Sequence, residues 1–141
     1  MRLTVLVDNN TFIDQYFIGE PAVSYYIEAN GFVPDFLLDS SVLVYRSSNR
    51  LVIVTGCSHS GICNIAEYGR EILKEKRVLD IIGGFHLLNP STDQIKGTKN
   101  YFKELFPSAI HACHCTDLKS KISLTGVTNL HEVGIGLVLN Y

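Results

Sequence analysis

The chain has 141 residues, with 12 Lys+Arg against 14 Asp+Glu and a formal net charge of −2, and that length builds one domain with a sizeable core. Its 46% hydrophobic and 18% charged content is that of a globular protein leaning apolar, and no basic run or basic–aromatic stripe marks a nucleic-acid surface. No apolar stretch approaches the ~20 residues of a membrane span, so neither a nucleic acid nor a membrane is expected as partner.

The opening MRLTVLVDNN turns acidic too early for a secretory signal, which predicts a cytoplasmic protein. Cys57, Cys63, Cys113 and Cys115 form no CxxC pair and read as reduced thiols, by default small apolar core residues.

Taken in order, Arg2 to Asp8 and Ala22 to Glu28 read as strands on either side of the turn-prone Gly19-Glu20-Pro21, a hairpin by pattern. Val42 to Arg46 and Leu51 to Thr55 are β-branched runs joined by Ser47-Ser48-Asn49-Arg50, a four-residue loop by composition. From Leu51 onward strand and helix alternate. Ile62 to Lys74 carries Ile62, Ile65, Ala66, Gly69, Ile72 and Leu73 at helical spacing, with Glu67, Arg70, Glu71 and Lys74 left for solvent. A second helix starts after Pro90 with Ser91 and Gln94 in capping-box spacing, presents Ile95, Thr98, Phe102 and Leu105 on one side, and stops at Pro107. A short helix over Asp117 to Leu124 and a last strand over Val133 to Leu139, with Gly134 and Gly136 marking close backbone approach, complete the pattern.

Three histidines each follow an apolar strand and precede a helix: His59 in LVIVTGCSHSGI, His86 in VLDIIGGFHLLNP and His114 in AIHACHCTD. Strand ends that feed helices in a parallel sheet open on one edge, so these loops converge on a shared crevice suited to a metal or an acid–base centre. Each has a plain alternative: a helix-capping His59, and a His86 hydrogen-bonded to a neighbouring loop. Strict alternation from His111 would send His111, Cys113 and Cys115 to one face and His114 to the other. His114, closest to the loop, is the ligand candidate, while His111 reads as a satisfied edge histidine and His131 as surface.

The small-residue turn Ser58-His59-Ser60-Gly61 opens a helix whose N–H groups suit an anion, or is simply a tight turn. It also approaches the nucleophile elbow G-x-S-x-G, with Ser60 where the last glycine belongs. Asp8 either faces a ligand or caps a turn.

The strings TVLVDNNT, GEPAVSYYIE, DFLLDSSVLVY, VTGCSHSGICNI, IGGFHLLNPS and HACHCTDLKSKI resemble the metallo-β-lactamase superfamily over nearly the whole chain, most closely its branch related to ribofuranosylaminobenzene 5′-phosphate synthase. The resemblance implies two face-to-face sheets with helices outside and one or two metals at one end. It implies that His59 and His114 match metal-ligand positions and that His86 matches an active-site position. Between the second strand and DFLLDSS the family carries a small domain's worth of chain with an H-x-H-x-D-H motif. Phe32-Val33 stands there instead, and the motif occurs nowhere in this sequence.

The expectation is therefore an α/β fold, a truncated metallo-β-lactamase-like αββα sandwich, as a single domain over residues 1–141 with an internal deletion near 31–34. Catalytic zinc takes about three protein ligands and an open position, which His59, His114 and His86 can just supply, whereas a two-metal mechanism needs more. The function expected is that of a metal-dependent hydrolase-like protein with an incomplete site for a divalent transition metal, zinc first, and weak or no hydrolysis.

Two alternatives stand beside it. One is a non-catalytic remnant that binds a ligand or partner, with or without metal. The other is a Ser58-based hydrolase using His114 or His131 as base. An anionic small molecule would be held by Ser58, Ser60, Gly61, Asp8 and Lys119, with Ser120 and Lys121 nearby, unless the lysines are only a solvated face. The shortened sheet predicts self-association, as a homodimer in the simplest case.

Overall fold

A computed structural model of the chain describes residues 1–7, 24–28, 42–48 and 50–141. The elements run β1 Arg2–Val7, β2 Ser24–Glu28, β3 Val42–Ser47, β4 Arg50–Cys57, α1 Ile62–Leu73, β5 Val78–Gly84, α2 Thr92–Leu105, β6 Ala109–Ala112, α3 Leu118–Thr125 and β7 Val138–Asn140. They build two sheets, one ordered β2-β1-β7 and one ordered β3-β4-β5-β6. The first is antiparallel, with β1 and β2 pairing as the hairpin pattern predicts. In the second, β3 runs antiparallel to β4, while β4, β5 and β6 are parallel.

Period-two alternation along β4 explains how the layers stack. Leu51 and Ile53 join Ile81, Ile62, Ala66, Phe102 and Leu124 in one cluster, which draws on all three helices. Val52 and Val54, with Ile82, pack on the other side against Leu3 of β1 and against Val133 and Leu139. The four-stranded sheet is thus covered by helices on one face and by the three-stranded sheet on the other. A strand buried on both faces must be apolar at every position, which is why 51–54 reads Leu-Val-Ile-Val. A second helical layer, as in a complete αββα sandwich, is not among the described residues.

Local chemistry sets the helix ends. The Ser91 hydroxyl accepts from the Gln94 N–H at 3.2 Å, as the capping-box spacing predicts. Asp117 caps α3 by accepting from Ser120 N–H at 2.7 Å, and it also accepts from Asn89 N–H at 2.6 Å. Those two donors hold its carboxyl below the usual aspartate range.

Three sequence expectations shift. Residues 133–137 do not form a strand: Gly136 takes φ 89° and Leu137 N–H closes a turn onto the Gly134 carbonyl, so regular pairing begins only at Val138. Ile72 of α1 is exposed instead of joining the core, because α1 turns it towards a groove beside β3 with Val42 and Tyr68. The β3–β4 strands run on until Ser47 pairs with Arg50, so the hairpin loop is tighter than four residues. The internal deletion near 31–34 and the Asp8 position lie outside the described residues.

A buried polar group ties the two sheets together. His111 of β6 pairs through Nδ1 with Asp80 of β5 at 2.9 Å, and the Tyr141 hydroxyl donates to the other Asp80 oxygen at 2.5 Å. Both Asp80 and His111 are buried, so each depends on these partners. His111 is thus the satisfied edge-strand histidine, and the exposed His131 ring stacks on it with centroids 5.2 Å apart.

Two outcomes are expected. Gly83 adopts φ 140°, and a Cβ there would stand 2.0 Å from the Thr55 carbonyl oxygen, so Gly83→Ala should destabilise the fold by about 3 kcal/mol or more in urea unfolding. Tyr141 is held neutral by burial and by the Asp80 carboxylate, and burial pushes Tyr101 up to about 12. A phenol raised on folding contributes stability that is complete below its unfolded value near 10 and is lost as pH rises beyond it. Melting temperature should therefore fall above about pH 10, and less steeply in Tyr141→Phe.

Candidate metal centre

The parallel strands β4, β5 and β6 finish side by side, and the turns that leave them meet at one edge. What lets them meet is bare backbone. A Cβ on Gly84 would lie 2.6 Å from Cys115 Sγ, 2.8 Å from the Gly56 carbonyl oxygen and 2.9 Å from that of His114. The paired glycines at the end of β5 thus let the β4 and β6 turns close over it from either side.

Hydrogen bonds lace the three turns together. Ser58 N–H donates to the Gly84 carbonyl at 3.0 Å, Leu87 N–H to that of Cys115 at 2.8 Å, and Asp117 N–H to that of Leu87 at 3.0 Å. Phe85 N–H donates to the Thr116 hydroxyl at 3.0 Å. His86 at φ 53° and Cys115 at φ 46° both take the left-handed conformation, which non-glycine residues adopt at a cost and mostly where a site demands it.

At this edge Cys57, His86 and Cys115 bring one ligand atom each within 4.8 Å of one another. Cys57 Sγ and Cys115 Sγ are 2.7 Å apart, Cys57 Sγ lies 3.5 Å from His86 Nδ1, and the His86 N–H donates to Cys115 Sγ at 3.2 Å. Both thiols are buried beneath an exposed His86. The His59 ring stands edge-on to His86 with centroids 4.9 Å apart. His114, on the third turn, is partly buried, and its Nδ1 has no hydrogen-bond partner among the described residues.

Of the residues singled out in the sequence, His59 and His86 come into ring contact, and His86 sits with two cysteines. Ser58 is fully buried, and its hydroxyl donates to the Gly84 carbonyl at 2.6 Å and lies 3.3 Å from the Thr55 hydroxyl. Ser60 is exposed, and Gly61 starts α1 at φ 90° with no side-chain cap. Lys119 is exposed on α3, while the Ser120 hydroxyl is buried without a partner among the described residues.

The sequence reading missed Cys57 and Cys115. Alternation sends Cys115 to the His111 face, but β6 ends at Ala112 and the left-handed turn at Cys115 swings its sulfur back over β5. Cys113 alone follows the alternation, into the layer between the sheets. The available signal was positional, since each of the two cysteines lies within two residues of a candidate histidine, Cys57 at the end of β4 and Cys115 just after β6, the strands that flank β5.

The donor set fits a borderline-soft divalent ion. Thiolate sulfur and imidazole nitrogen are what zinc and its neighbours take, and three converging donors leave room for a further ligand.

Comparison with known proteins agrees with this architecture. No family model matches the chain. An uncharacterized protein of Methanocaldococcus jannaschii is 36% identical over 107 residues, covering 76% of this chain and 39% of its own length. From the same organism, a 7,8-dihydropterin-6-methyl-4-(beta-D-ribofuranosyl)-aminobenzene-5′-phosphate synthase is 33% identical over 106 residues, covering 74% and 36%. The crystal structure of a metal-dependent hydrolase of the beta-lactamase superfamily superposes with a TM-score of 0.67 at 33% identity, over 83% of this chain and 46% of that one. The chain thus spans less than half the length of each of these three proteins, and over that span it has a mixed α/β fold matching that of the metallo-β-lactamase-like hydrolase.

Proposed function

We propose that this chain is a metallo-β-lactamase-superfamily protein that binds one divalent transition metal, zinc by preference, where β4, β5 and β6 end. The observation that carries the reading is the convergence of Cys57, His86 and Cys115 within 4.8 Å at that edge. The edge-on His59 ring and the His114 Nδ1, without a hydrogen-bond partner among the described residues, add to it. Cys57, Cys115 and His86 would hold the ion, with His59 and His114 as the imidazoles available from the adjoining turns. When bound, such an ion supplies Lewis acidity towards an ester or phosphoryl oxygen.

The residues around it do the remaining work. The laced turns hold the donors rigid, Ser60 and the start of α1 lie beside His59, and Lys119 offers a cation to an anionic small molecule. Hydrolysis should be weak, because the H-x-H-x-D-H ligand set is absent from the sequence and no second cluster of ligands stands in for it among the described residues. A reducing, cytoplasmic setting would keep the cysteines as thiols. A Ser58 hydrolase is disfavoured, since that hydroxyl commits its proton to the Gly84 carbonyl.

Metal analysis of purified variants tests this. His86→Ala, Cys115→Ser, His59→Ala and His114→Ala should each lower zinc per chain, while His131→Ala should not. Turnover of phosphodiester, thioester or β-lactam substrates should stay below about 1 per second even with added zinc. Equal occupancy in all five variants would mean adventitious surface binding.

The chain is further expected to self-associate. β3 ends the four-stranded sheet among the described residues, with Val42, Tyr68 and Ile72 exposed beside it. Light scattering at micromolar concentration should give a dimer mass, and a monodisperse monomer would sink the idea.

A further inference from the structure

The two sulfurs of the candidate site make a second chemistry available. Cys57 ends β4 and Cys115 follows β6, so they approach each other across Gly84 of the intervening strand. Their 2.7 Å contact is longer than a disulfide bond of about 2.0 Å. It is shorter than the roughly 3.8 Å edge that two thiolates span on a tetrahedral zinc. A small movement in one direction makes the bond, and a small movement in the other admits the ion.

The remaining thiols point elsewhere. Cys63 lies on α1 against the helix-side cluster, and Cys113 lies in the layer between the sheets. Although Cys57 and Cys115 are themselves buried, His86 above them is exposed and its Nδ1 lies 3.5 Å from Cys57 Sγ. The pair is therefore one ring away from solvent and within reach of a small oxidant.

We propose that Cys57 and Cys115 form a reversible disulfide, made by a peroxide and broken by a thiol reductant, and that the oxidised pair no longer holds metal. The second half rests on the metal reading above. One sulfur attacks the peroxide as the O–O bond breaks and water leaves, giving a sulfenic acid. The other sulfur then displaces the sulfenic oxygen as a second water. Two thiols and one hydrogen peroxide become one disulfide and two waters, with two electrons passing from sulfur to oxygen. Because the thiolate is the form that ligates metal, oxidation removes two of the three donors at once. Bound metal in turn shields both sulfurs from the oxidant.

The test uses the reduced, metal-free chain treated with one equivalent of hydrogen peroxide, alkylated with iodoacetamide and digested without reductant. Mass spectrometry should find one linked peptide pair, containing Cys57 and Cys115, with Cys63 and Cys113 alkylated. Zinc preloading should suppress the link, and Cys63→Ser should still form it. Zinc affinity of the oxidised chain should fall by more than about 100-fold, the upper end for losing a single supporting contact, and dithiothreitol should restore it.

A link through any other cysteine pair overturns the proposal. So does sulfinic acid at Cys57 or Cys115 without a link, or unchanged zinc affinity in the linked protein. A reduced chain that binds no zinc would defeat the metal reading instead, and the peptide map would then decide the disulfide by itself. Far-ultraviolet circular dichroism of both redox states guards against reading unfolding as loss of metal.

Discussion

Everything at the candidate site depends on the missing side chains at the end of β5. At Gly83 an added carbon would stand 2.0 Å from the Thr55 carbonyl, and at Gly84 it would meet the Cys115 sulfur and two carbonyls inside 3.0 Å. Contacts that short have no relaxed solution, because backbone cannot yield as the tip of a flexible side chain can. With hydrogens in those two places, the turns after β4 and β6 come together over the central strand and exchange the hydrogen bonds that make the edge rigid. Rigid support of this kind separates a set of donors that share a region from a set that can share an ion.

The opposite side of the molecule shows how that edge is carried. Leu51 and Ile53 face the helices while Val52 and Val54 face the second sheet, so β4 is anchored by apolar burial on both sides. Across the same interface Asp80 receives His111 and Tyr141 in a buried arrangement whose members have few other partners. Such a group contributes more to uniqueness than to net stability, because removing one member leaves the others buried and unsatisfied. It fixes β5 and β6 against β7, and with them the level at which their turns emerge.

The arrangement also bears on the ligand pattern that the sequence resemblance leads one to expect. A histidine-rich first-metal motif is absent from the sequence, and the donors that do converge include two sulfurs. Sulfur ligands favour tighter holding of a soft ion and bring a redox dependence that imidazole and carboxylate lack. Chemistry at this edge should therefore respond to oxidants as well as to metal supply.

Much of the fold was legible in the sequence because it rests on short-range pattern. The doubly buried run at 51–54, the Ser91 cap three residues before Gln94 and the amphipathic α1 each follow from neighbours within a turn or a strand. The edge on which His59, His86 and His114 emerge followed from parallel strand order in the same way. The partnership of Cys57 with Cys115 did not. The two lie 58 residues apart, and their meeting depends on a left-handed turn at Cys115 and on the empty space above Gly84. Ile72 and the 133–137 segment went the same way, one turned outward by the setting of its helix and the other bent by a glycine at positive φ. Periodicity in the sequence determined which residues face inward, whereas the packing of β4, β5 and β6 in three dimensions decided which reactive atoms touch, since contacts across strands depend on distances that no local pattern encodes.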